Sequence, residues 1–316
     1  DISKIRTLTN AFAFNTPKDI SLVVYDYLDN ECKYEESSKF QIENNDFIFL
    51  NDHKMVSVGD TVALFDLNRN SEILRSNSID YRFLRPSAKG HAKSHIQPIS
   101  ESSFSILWNK NGTVYDTREN MFSRRSFFIC EDDIIATAND GAILYTATPT
   151  GITAYDTRGS RGLVLWKKFY RADNSPYCDF NVKSNRALLG NRIIDLKQGQ
   201  SLAFFDPSIP DNTKRTTRAF RNSPNVPDPI HGAIVNDKYA VFGFEKRSVV
   251  LFDYTSSPTK NVVGDDDDKA TYTGKTVSTF EFADGGIKSI SASYINNVFA
   301  VAADYSIKIL KVPKNT

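Results

Sequence analysis

Apolar and polar positions alternate along this chain in short runs, and six of those runs close on an aromatic residue or isoleucine followed by aspartate. They are VVYD ending at Asp26, ALFD at Asp66, TVYD at Asp116, TAYD at Asp156, RIID at Asp195 and VLFD at Asp253. A seventh run, SIKILK, keeps the alternation but puts Lys311 where the aspartate would stand. Alternation with period two is the pattern of a half-buried strand. The ends are 40, 50, 40, 39, 58 and 58 residues apart, so one four-stranded unit with variable insertions fills each step. Recurrence at roughly 40–45 residues marks a β-propeller. The expectation is an all-β fold: a seven-bladed propeller of four-stranded antiparallel blades, with residues 1–316 forming one propeller.

Within the repeats the strand runs are short and separated by turn residues. Phe47 to Leu50, Met55 to Val58 and Thr61 to Phe65 form one set. Ser103 to Trp108 and Thr113 to Tyr115 form another, with Asn111-Gly112 as the expected hairpin turn. Ile134 to Thr137, Ile143 to Thr146 and Ile152 to Tyr155 repeat the plan. Arg186 to Leu189 with Arg192 to Ile194, and Lys238 to Phe244 with Ser248 to Phe252, give two more. Ser289 to Tyr294, Val298 to Ala302 and Ser306 to Leu310 complete the series. No segment sustains a 3.6-residue apolar period, so no substantial helix is expected. Ring closure is assigned to an N-terminal strand, Ile2 to Leu8, pairing with the last blade.

Composition sharpens this picture. The chain is 40% hydrophobic, with 22 Phe and 14 Tyr, residue types that suit a pleated, half-buried surface. Three cysteines at wide spacing, Cys32, Cys130 and Cys178, are an odd count without a CxxC pair. That pattern reads as a reducing compartment, and hence an intracellular protein, cytoplasmic or nuclear. Each thiol is read as a small buried hydrophobe. No stretch approaches the ~20 apolar residues needed to span a bilayer. With 39 basic and 38 acidic side chains the protein is nearly neutral, unlike one wholly dedicated to nucleic acid.

On these repeats the chain resembles the WD-repeat family, as a divergent member. Tyr25-Asp26, Phe65-Asp66, Tyr115-Asp116, Tyr155-Asp156, Ile194-Asp195 and Phe252-Asp253 stand in the place of its Trp-Asp dipeptide. Gly90-His91 matches the Gly-His that opens a repeat, and Asp60, Asp140 and Asp304 match the buried aspartate of the turn before the final strand. The resemblance implies a non-catalytic platform inside a larger assembly.

Function is expected at the departures from the repeat. Insertions fall at residues 77–98, 206–229 and 255–276. The first carries His91 and His95 at HxxxH spacing, yet Pro86 and Pro98 bracket it and no further ligand is near, so it reads as an exposed loop. The third carries Asp265 to Asp268, a run that self-repels and lacks the alternation of a calcium loop. No cofactor or metal is expected. Charge is uneven: residues 108–221 hold 17 basic against 12 acidic groups, whereas the flanking regions are slightly acidic. The candidate partner-binding residues are Arg124, Arg125, Arg158, Arg161, Lys167, Lys168, Arg171, Lys214, Arg215, Arg218 and Arg221. Arginine suits planar carboxylate or phosphate groups.

No catalytic motif occurs, and the register of aspartates at strand ends suits bonds to the following turn better than catalysis. The reading is a non-enzymatic scaffold or adaptor subunit of an intracellular multiprotein complex. Its partners are other protein subunits, through acidic or phosphorylated segments; nucleic acid and lipid headgroups rank below them. Ser123-Arg124-Arg125-Ser126 resembles the paired arginines of phosphoinositide-binding propellers, without their Phe-Arg-Arg-Gly order. Substrate recognition for a ubiquitin ligase is a further alternative.

Overall fold

A computed structural model of the chain describes residues 4–8, 11–16, 18–28, 31–42, 46–59, 61–76, 95–108, 110–118, 122–129, 133–141, 143–156, 163–170, 177–205, 229–244, 247–256, 274–282, 285–293, 297–304 and 306–312. The strands form seven antiparallel sheets in chain order. Blades 1 to 7 span residues 4–41, 46–76, 95–129, 136–169, 178–204, 231–281 and 287–311. Among the described residues six sheets have four strands, the last has three, and one 3₁₀ turn, Val182–Ser184, is the only helical element.

Every sheet is a simple meander whose first strand faces the hub. These seven first strands touch in sequence around a closed circle, blade 7 meeting blade 1. The apolar core lies between the sheets. Six buried clusters each straddle one junction, for example Ile48, Val56, Ile96 and Phe104 between blades 2 and 3. Phe205, Phe242 and Phe252 do the same between blades 5 and 6, with the Phe205 and Phe242 rings stacked at 4.2 Å. A lone blade could bury neither face, so burial stabilises the ring and not its parts.

The aromatic-Asp runs form third strands: Asp19–Leu28, Val62–Asp66, Asn111–Asp116, Gly151–Asp156, Arg192–Asp195 and Ser248–Asp253, with Ile307–Lys311 as the seventh. Their pairing with the outer strand shifts register just before the motif in five blades, at Leu64/Phe65, Val114/Tyr115, Ala154/Tyr155, Ile193/Ile194 and Leu251/Phe252. A bulge of this kind bends the strand and increases its twist. The aspartates then bond the turn that follows. Asp66 Oδ1 accepts the N–H groups of Asn68 (2.9 Å) and Arg69 (3.1 Å). Asp195 Oδ1 takes those of Lys197 (2.8 Å) and Gln198 (3.1 Å), and Asp253 Oδ1 those of Thr255 (2.9 Å) and Ser256 (3.2 Å). In blade 7 the aspartate is replaced by Lys311, and no outer strand follows among the described residues.

Three expectations are corrected. The N-terminal strand Lys4–Thr7 does not join the last blade as a strand; it pairs with Ala11–Asn15 as the inner strand of blade 1. A short hairpin closes at lower entropic cost than a pairing across the whole chain. The strand still seals the ring, because Thr7 Oγ1 donates to the Ala292 carbonyl (2.7 Å) and the Thr7 N–H donates to Ser291 Oγ (3.0 Å) in blade 7. Asn111 and Gly112 are not the hairpin turn, since they pair with Trp108 and Leu107 inside the sheet. Asp140 is exposed and Asp304 half-buried, so neither is a buried turn aspartate; Asp60 lies outside the described residues.

Candidate functional site

The hub encloses an open channel of about 670 Å³, lined by first strands of six blades, with Arg6, Gln97, Thr137, Cys178, Asp179 and Lys183 among its polar groups. Short inner strands put these side chains there, and several polar groups bond from blade to blade. Asp46, buried, receives Lys4 Nζ at 2.6 Å and the Ile96 N–H at 3.4 Å, so one carboxylate joins blades 1, 2 and 3. Asp179 repeats the device in blade 5, accepting the Ile234 N–H of blade 6 at 2.8 Å. Asn181 Nδ2 adds a bond to the Ile234 carbonyl at 3.2 Å. Ser105 meets Thr137 between blades 3 and 4 (3.2 Å), and Tyr170 donates to the Gly199 carbonyl between blades 4 and 5 (2.9 Å). Asn236 reaches Asn297 between blades 6 and 7 (2.6 Å).

Electrostatics agree with a structural role. Burial raises the Asp179 carboxyl above the ordinary aspartate range, opposed by the Ile234 N–H and by Arg6. Burial, and then the neighbouring Asp179 charge, hold the Cys178 thiol well above its usual value, so it stays protonated at neutral pH. A thiol held protonated in that way is a poor nucleophile. In blade 7 Asp304 is held below the usual range by Lys288, whose amine lies 2.9 Å away, and by the Gly286 N–H. Among the described residues no three of His, Cys, Asp and Glu gather as metal ligands.

Four of the basic candidates fall on described outer strands. Lys167 and Lys168 sit on the outer strand of blade 4, Leu163–Phe169, and Arg124 and Arg125 on the outer strand of blade 3, Ser123–Ile129. The backbone places Arg124 opposite Tyr115, but nothing is described of the arginine side chains. Arg158, Arg161, Arg171, Lys214, Arg215, Arg218 and Arg221 lie outside the described residues, as do His91 and most of the three insertions. The blade 4 strand also presents Leu163, Val164, Leu165 and Phe169 to solvent. Sequence reading missed these four, since LVLW looks like any buried strand; the signal available was its place just after a third-strand aspartate.

No family model matches the sequence, and no curated protein does. Solved structures do match in shape. The crystal structure of the C-terminal WD40 domain of Sif2 superposes with a TM-score of 0.60 at 11% identity, covering 99% of this chain and 96% of that one. In all, 1218 solved chains match, a breadth that identifies architecture and no activity. No described helix is long and apolar enough to cross a membrane. The chain thus has the seven-bladed, all-β propeller fold of WD40 domains.

Proposed function

We propose that this protein is a non-enzymatic docking platform within a multiprotein complex, engaging acidic or phosphorylated partner segments through the basic sector of blades 3 to 5. The observation that carries this reading is the division of polar chemistry. The hub carboxylates Asp46 and Asp179 hold neighbouring blades, the in-register aspartates hold turns, and the Cys178 thiol is kept protonated. Cationic residues also occupy the outer strands of blades 3 and 4. A ring whose carboxylates are engaged in blade and turn contacts, with cationic residues on its outer strands, is suited to recognition.

Affinity purification from the native source, followed by mass spectrometry, tests this. A stoichiometric protein partner is expected. Reversing Arg124, Arg125, Arg215 and Arg218 to glutamate should weaken its association at low salt by a few kcal/mol in total, given roughly 1.5–3 kcal/mol for a hydrogen bond to a charged group. Recovery of no stoichiometric partner would overturn the reading.

A further inference from the structure

We propose that the outer edge of blade 4, Leu163–Phe169, is a strand-addition site for an extended partner segment that carries both apolar and acidic residues. This rests on the docking-platform reading and names the chemistry and the place of the contact.

The edge differs from the other described rims. Leu163 is 69% exposed, Val164 49%, Leu165 45% and Phe169 60%. The outer strands of blades 2 and 6 each expose one large apolar residue, Ile73 and Val277. Its register with the third strand runs from Gly151 opposite Phe169 to Asp156 opposite Leu163, and among the described residues no further strand lies beyond it in the sheet. One face is anchored: the Trp166 ring lies 6.3 Å from that of Tyr145 and covers Gly199 of blade 5 so closely that a Cβ there would meet it at 3.0 Å. On the other face Lys167 Nζ lies 4.6 Å from the centre of the Phe169 ring, so cation and aromatic share one surface. A fixed strand with apolar side chains and an open backbone edge is the template that strand addition uses.

Charge selects the occupant. Lys167 and Lys168 lie on the strand, and the sequence from Thr157 to Ala172 holds no acidic residue. A second copy pairing edge to edge would bring like charges together, which is unfavourable across a strand pair. The register puts Val164, Lys167 and Phe169 on one face and Leu163 and Lys168 on the other, with Leu165 at the bulge. Each face thus offers apolar surface beside a lysine, and a partner strand with apolar and acidic residues on both faces is complementary. Seven residues in extended form span roughly 24 Å, so a partner strand of about that length fits.

Selection from a displayed library of random octapeptides tests the site on the whole 316-residue chain. Enriched peptides are expected to combine apolar residues with Asp or Glu and to lack Lys and Arg. Their affinity should fall about tenfold or more when alternate backbone amides are N-methylated, and similarly for the Leu163→Lys/Leu165→Lys variant. Lys167→Glu/Lys168→Glu, which leaves the apolar residues in place, should reverse the preference to basic peptides. Circular dichroism of both variants checks that the ring is intact. Peptides that bind the variants as well as the parent chain, a failure to enrich any peptide, or parent-chain dimerisation in sedimentation that Leu163→Lys/Leu165→Lys abolishes would each overturn the proposal. The platform reading fails separately, by the absence of a stoichiometric partner in the native purification.

Discussion

The outer strands of blades 4 and 6 have nearly the same backbone and opposite surfaces. Leu163–Phe169 and Lys275–Glu281 are both seven residues long, both antiparallel to a third strand, and both shifted in register just before the aromatic of the motif. Blade 6 alternates exposed residues, Val277 the one large apolar residue among them, with half-buried ones along KTVSTFE. Blade 4 puts leucines, valine and phenylalanine into solvent instead. Folding needs neither choice, because the buried clusters lie between blades and closer to the hub. The surface of blade 4 therefore answers to something other than the stability of the ring.

The largest contrast should come from one residue type in two places. Phe252, fully buried against Phe205 and Phe242 in blade 6, should cost about 3–5 kcal/mol when changed to alanine. Phe169→Ala in blade 4 should stay within about 0.5 kcal/mol, since that ring is mostly exposed. Urea denaturation of both variants measures the difference; a comparable loss in the two would erase the distinction between core and display.

A smaller effect belongs to the turns that launch the outer strands. Asp253→Ala removes the acceptor for the Thr255 and Ser256 N–H groups and should cost about 1–2 kcal/mol. The loss should appear in the melting temperature with hydrogen-exchange protection falling first at Lys275–Glu281. Uniform loss across all seven blades would show that the turn is not a local device.

The smallest is a change in pH dependence at the hub. Asp179 has its carboxyl pKa raised in the folded ring, so its contribution is most favourable below the ordinary aspartate value and is lost as pH rises through the raised one. Asp179→Asn keeps an oxygen to accept the Ile234 N–H and removes that dependence. Its stability relative to the parent chain should thus be greater at pH 7 than at pH 3. A flat or inverted difference between those two pH values would contradict the assignment.

The third strands were legible because their alternation and terminal aspartate recur, and both are packing demands repeated in each blade. The aspartates' role in turns was legible for the same reason. Outer strands were not, because their side chains meet solvent and need no apolar pattern; Ser71–Ser76 and Gln200–Phe204 carry little periodic signal. Inner strands such as Cys178–Asn181 are too short and too polar, since one side faces the channel. The closure by Thr7 escaped notice because a hydroxyl bonding across 284 residues leaves no mark on local composition. At the candidate site the charge of Lys167 and Lys168 could be counted in advance, but the exposure of Leu163 and Leu165 depends on what stands beside the strand, which only the folded ring decides.

Hydrogen–deuterium exchange of the chain alone and bound to its purified partner bears most directly on the idea that blade 4 displays a recognition strand. Amides of Leu163–Phe169 should become protected on binding, while those of Lys275–Glu281 in blade 6 exchange at an unchanged rate. Protection confined to other blades, with Leu163–Phe169 exchanging as fast in the complex as in the free chain, would contradict the account.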